Sequence, residues 1–102
     1  MIHVVNKHTY TGPGVYIGRP SPLGNPFHIG PTCTRAQSIA KHETWFRQEF
    51  LVHPVLHAAF KCLVERYYRT GTLTLICWCA PEPCHGDTLA KIIKEILRDR
   101  MP

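Results

Sequence analysis

No stretch of the chain approaches the roughly 20 consecutive apolar residues that a bilayer-spanning helix requires. The opening Met1-Ile2-His3-Val4-Val5-Asn6-Lys7-His8 lacks the basic start and apolar run of a secretory leader. Acidic residues are scarce: 7 Asp and Glu stand against 12 Lys and Arg, a net charge of +5, which inclines the surface toward anionic partners without naming one. No two cysteines have the C-x2-C spacing of a structural zinc knuckle. The 5 cysteines are odd in number, and Cys77 and Cys79 stand too close for an easy disulfide. A disulfide scaffold is therefore disfavoured, and a reducing, cytoplasmic compartment is expected. Internal repeats, linkers and blocks of like charge are missing too. These absences exclude a membrane span, a secreted disulfide scaffold, a coiled coil and a disordered tail.

What is present suits one domain over residues 1–102: 44% of the 102 residues are hydrophobic and 19% charged, enough to fill a core. Ile2-His3-Val4-Val5 reads as a strand and Val15-Tyr16-Ile17 as a second. Between Gly12 and Pro31, 10 of 20 residues are Gly or Pro, a density that neither a helix nor a central strand tolerates. Loops this long in compact domains are usually functional or disordered. Tyr16, Ile17, Leu23, Phe27 and Ile29 give this one apolar anchors, so an ordered functional loop is expected.

From Thr34 the pattern turns helical, with Ala36, Ile39, Glu43, Phe46 and Phe50 near a 3–4 spacing and Thr32 or Thr34 as N-cap. Pro54 opens a second helix carrying Leu56, Ala59, Phe60, Leu63 and Tyr67, and Gly71 stops it. Leu73-Thr74-Leu75-Ile76-Cys77-Trp78-Cys79 is apolar almost throughout and predicts a central strand buried on both faces. A last helix begins near Cys84 and His85, and its Leu89, Ile92, Ile93, Ile96 and Leu97 keep an unbroken helical stripe. Strands alternating with helices predict an α/β fold, a compact Rossmann-like three-layer domain with a small, mainly parallel sheet. So small a sheet leaves a face for a second copy to cover, making a homodimer an expectation.

The strongest chemical signal is Cys77-Trp78-Cys79-Ala80-Pro81-Glu82-Pro83-Cys84-His85-Gly86-Asp87. On a strand both thiols of the C-x-C project one way and Trp78 the other. Cys84, His85 and Asp87 fall in the first turn of a helix, where free N–H groups and the dipole attract anions and lower a thiol pKa. Strand ends that lead into helix starts are where open α/β sheets bind ligands. Three chemistries compete here. Zinc would use Cys77, Cys79, Cys84 and His85, although adjacent Cys84 and His85 reach one ion with difficulty, and the zinc-deaminase pattern H-x-E with P-C-x-x-C is missing. A nucleophile or acid–base group would come from Asp87, Cys84 and His85. Ligand binding by the helix start and its side chains is the third. The plain alternative is that the thiols pack as small hydrophobes and Asp87 complements the dipole.

The second signal is Gly18-Arg19-Pro20-Ser21-Pro22-Leu23-Gly24-Asn25-Pro26-Phe27. In a parallel sheet Arg19 emerges at the same edge as Cys79, where its guanidinium can clamp a phosphate or carboxylate. Gly18 and Gly24 permit close backbone approach to a ligand, and Asn25 offers a donor and an acceptor to a base or ribose, or else merely forms a turn. Lys91, Lys94 and Arg98 read as a solvated helix face. The basic residues are scattered, which disfavours nucleic acid as a partner. Trp45, Phe46, Phe50, Phe60, Tyr67 and Tyr68 lie at core-compatible helical positions.

Through Val15-Tyr16-Ile17-Gly18-Arg19, Gly24-Asn25-Pro26-Phe27, Thr34-Arg35 and Cys77-Trp78-Cys79-Ala80-Pro81 to Cys84-His85-Gly86-Asp87, nearly the whole chain resembles a small phage and bacterial family, domain of unknown function 4326. The resemblance adds Arg35 to the site; Cys33 stands where the family pattern more often has Gly. It implies a nucleotide or nucleotide-derived ligand, and a phage setting would suit capture of a signalling nucleotide. The expected function is binding of a small phosphorylated, ADP-ribose-like ligand by Gly18, Arg19, Gly24, Asn25, Arg35, Cys79, Cys84, His85 and Asp87, with no cofactor. The alternatives are a hydrolase cutting such a ligand, for instance at an N-glycosidic bond, and a zinc-containing or protein-binding inhibitor module.

Overall fold

The computed structural model describes residues 1–100. Its elements run β1 (Ile2–Asn6), β2 (Val15–Tyr16), α1 (Arg35–Glu49), α2 (Pro54–Thr70), β3 (Leu73–Cys77) and α3 (His85–Arg100). The three strands form one open sheet in the order β1-β3-β2, and β3 pairs in parallel with both neighbours. The fold is therefore mixed α/β with a small parallel sheet, as the alternation of strand and helix patterns predicts, and it is compatible with a Rossmann-like layout.

Register explains the core. Ile2 lies opposite Leu73, and both Val4 and Val15 lie opposite Leu75, so these side chains share one face. On that face Leu73, Leu75 and Cys77 are buried, with Phe46 of α1, Phe60 and Leu63 of α2, and Leu89, Ile92 and Ile93 of α3. Each such aliphatic or aromatic side chain contributes about 1.5–3 kcal/mol of transfer free energy. The other face differs from expectation: Thr74 and Ile76 are only half-buried, with the backbone of Gly14, in the β1–β2 connection, lying against Ile76. Tyr68, expected in the core, is 71% exposed on the outer side of α2.

The helix ends follow the sequence signals. Thr34 Oγ1 accepts from the Gln37 N–H at 3.2 Å, and Gln37 Oε1 accepts from the Thr34 N–H at 2.9 Å, a complete capping box. The Cys33 side chain beside it is buried, and its backbone pairs with Gly30. Pro54 is the first residue of α2, and Gly71 ends it in the left-handed region at φ 74°. The central strand stops at Cys77, not Cys79. β1 runs out at Asn6, whose side-chain Nδ2 donates to the carbonyls of Trp78 at 3.1 Å and Ala80 at 2.9 Å, bending the chain where the ladder would have continued. Among the described residues no helix is long and apolar enough to cross a membrane.

Candidate functional site

Parallel pairing brings the carboxyl ends of the strands to one edge. There β2 leads into Gly18 and Arg19, β3 leads into Trp78 and Cys79, and α3 starts at His85. A cavity of about 400 Å³ opens at this edge, within the range that holds a small organic ligand. Its wall gathers Gly18, Arg19, Asn25, Arg35, Cys77, Cys79, Cys84 and His85, residues some 60 positions apart in sequence. Gly24 and Asp87 are not part of the wall. Phe27, His28, Ser38, Ile39 and Trp78 are, although none of them was among the expected ligand-binding residues.

The two guanidiniums set the electrostatics. Arg19 Nη1 donates to His28 Nδ1 at 2.8 Å and to the Asn25 carbonyl at 3.3 Å. Arg35 Nη1 donates to the Pro83 carbonyl at 3.1 Å, tying α1 to the turn before α3. Among the described residues no Asp or Glu lines the cavity and neither guanidinium belongs to an ion pair. Both charges are thus steered by neutral acceptors and left uncompensated.

The loop that carries Arg19 is latched to α1. Asn25 Oδ1 accepts from the Phe27 N–H at 2.9 Å, and Asn25 Nδ2 donates to Ser38 Oγ at 2.9 Å. The Ser38 hydroxyl in turn donates to the Phe27 carbonyl at 2.6 Å. Asn25 therefore holds the loop, spending one N–H and one acceptor site of its amide on it. The two glycines also serve the loop itself. A Cβ on Gly18 would lie 2.6 Å from Cζ of Tyr16, whose hydroxyl donates to the Arg19 carbonyl at 2.7 Å. A Cβ on Gly24 would lie 3.0 Å from the Arg19 nitrogen.

At the start of α3 the polar groups satisfy one another. Cys84 Sγ accepts from the Gly86 N–H at 3.3 Å, while Asp87 Oδ2 accepts from the Cys84 N–H at 3.1 Å. Thiol and carboxylate together make a sulfur version of the capping box. The Asp87 N–H is taken by the Cys84 carbonyl at 3.1 Å, so the His85 N–H is the amide of this turn left without a partner among the described residues. The helix start offers an anion one amide, fewer than its position promised.

Burial reverses the expected thiol chemistry. The Cys84 thiol is pushed up to about 12, chiefly by its burial, with Cys77 and Asp87 adding to the shift against the pull of the Gly86 amide. It is protonated at neutral pH and a poor nucleophile. Cys84 Sγ lies 3.5 Å from Cys77 Sγ. Cys77, Cys79, Cys84 and His85 do not converge: among the described residues no three His, Cys, Asp or Glu side chains are arranged to hold a metal ion. The Arg19–Pro20 and Ala80–Pro81 peptide bonds that flank the cavity are cis.

His85 is buried, and its Nε2 bonds the Ile17 carbonyl at 2.7 Å. Burial lowers its pKa, so the ring is neutral, Nε2 carries the proton and Nδ1 the lone pair. Behind it stands His42, wholly buried on α1, 5.2 Å from the His85 ring and stacked on Phe46, with neither ring nitrogen hydrogen-bonded. The sequence patterns above do not single out His42; its place one turn after Ser38 on the core face of α1 is the signal that could have found it.

Fold and site together define a small α/β protein whose candidate ligand cavity sits at the carboxyl edge of an open parallel sheet and is lined by arginine. The chain belongs to the family described as domain of unknown function (DUF4326), which matches residues 2–95. No curated protein and no solved structure matches it.

Proposed function

We propose that the chain binds a small phosphorylated ligand, a nucleotide or a nucleotide-derived molecule of the ADP-ribose kind. The observation that carries this reading is the pair of guanidiniums, Arg19 and Arg35, on the wall of one cavity with no carboxylate among the described residues to neutralise them. A cavity at the carboxyl ends of parallel strands supports it, since open α/β sheets bind ligands there. Arg19 and Arg35 would hold the phosphate, joined by the His85 N–H. Binding without turnover fits the state of the candidate catalytic groups, because the Cys84 thiol is protonated and Asp87 is engaged in capping.

Replacing Arg19 by Ala should weaken nucleotide binding, measured by calorimetry, about tenfold or more, the worth of a charge-assisted hydrogen bond. The thermal midpoint should change little, because the Arg19 side chain is exposed. Unchanged affinity would sink the assignment. Hydrolysis of the nucleotide by the wild-type protein would replace binding with the hydrolase alternative.

A further inference from the structure

We infer that the Trp78 indole is a base platform for this cavity, so that its phosphorylated ligand carries an aromatic nucleobase, with purine favoured over pyrimidine. The inference rests on the phosphate-binding reading and adds the part of the ligand that the arginines do not recognise.

Trp78 lines the same cavity as Arg19 and Arg35, yet it is 47% exposed. An exposed aromatic ring is unremarkable when it is free to move. This one is fixed from several sides. Its Nε1–H donates to the Tyr16 hydroxyl at 2.8 Å, and its carbonyl accepts from the Asn6 amide at 3.1 Å. The His8 ring packs against it at 65° with centroids 4.7 Å apart, and the Lys7 ammonium lies 5.9 Å from the ring centre. A large apolar surface held rigid beside bound charge is what stacking requires, because little side-chain freedom remains to be lost.

The predicted selectivity follows from ring area. Every base has a π-face, and the larger purine covers more of an indole than a pyrimidine does.

Calorimetric titrations with AMP, GMP, CMP and ribose 5-phosphate test this on wild type, Trp78→Ala and Trp78→Phe. Wild type should bind both AMP and GMP more tightly than CMP. Trp78→Ala should weaken AMP by about tenfold or more while leaving ribose 5-phosphate unchanged, and Trp78→Phe should restore most of the AMP affinity. Equal losses for AMP and ribose 5-phosphate, or no loss for either, would overturn the platform while leaving the arginine site standing. Failure of wild type to bind any of the four compounds would overturn the phosphate reading and the platform with it.

Discussion

Asp87 accepts a hydrogen bond from the Cys84 amide, and that bond competes with any sugar hydroxyl for the same oxygen. Asp87→Ala should therefore lower stability in urea denaturation by about 0.5–2 kcal/mol, the usual worth of a helix cap, while leaving nucleotide affinity nearly unchanged. Asp87→Asn, which keeps an acceptor oxygen, should lose less. A fall in affinity at constant stability would return Asp87 to the ligand. At this scale the sequence showed which polar groups cluster but not what they bond. Short polar side chains such as Asn25 and Asp87 satisfy backbone amides two or three residues away, and those partners win over a ligand because they are always present. Cys84 is the sharper case. A helix start stabilises a thiolate by about 0.3–1 kcal/mol, whereas burial can shift a pKa by several units in the other direction.

The helices were legible because periodicity and caps are local. The stripe Leu89, Ile92, Ile93 on α3 and the Thr34–Gln37 box on α1 both stand where their spacing placed them. The end of β3 was not legible, since what stops it is an Asn6 side chain 72 residues away in sequence. The half-covered second face of β3 escaped for a similar reason: an apolar run does not reveal which of its faces meets a helix and which meets a loop. Packing of α3 on the sheet depends on Gly86. A Cβ there would lie 2.9 Å from Cγ1 of Val4 and 3.0 Å from Cδ1 of Ile17, too close without displacement of the helix. Gly86→Ala should cost about 1–3 kcal/mol by overpacking, despite the better helix propensity of alanine, and the thermal midpoint should fall accordingly. An unchanged or higher midpoint would show that the helix start moves freely against the sheet.

For the molecule as a whole, the two buried histidines couple folding to pH. Burial lowers His42 from 6.5 to about 4, with the neighbouring His85 acting in the same direction and Glu43 opposing; burial also lowers His85. Above pH 6.5 both states are neutral and nothing changes. As pH falls below 6.5 the unfolded chain takes up protons that the folded core refuses, so the histidines' contribution to stability declines, that of His42 until about pH 4. His42 alone accounts for roughly 3 kcal/mol of that decline. In His42→Phe, denaturation curves between pH 6.5 and pH 4 should lose most of this slope, leaving the share due to His85. A slope equal to that of wild type would mean that His42 is hydrated or protonated in the folded protein.

The Asn25–Ser38–Phe27 latch bears on time as well as on shape. The loop, the bend after β3 and the first turn of α3 are each fastened by bonds already complete in the folded chain, so no segment of the cavity waits for a guest before it sets. Binding of the proposed ligand should then follow a single kinetic phase, with a rate that scales linearly with concentration. How long the guest stays is governed by its departure alone.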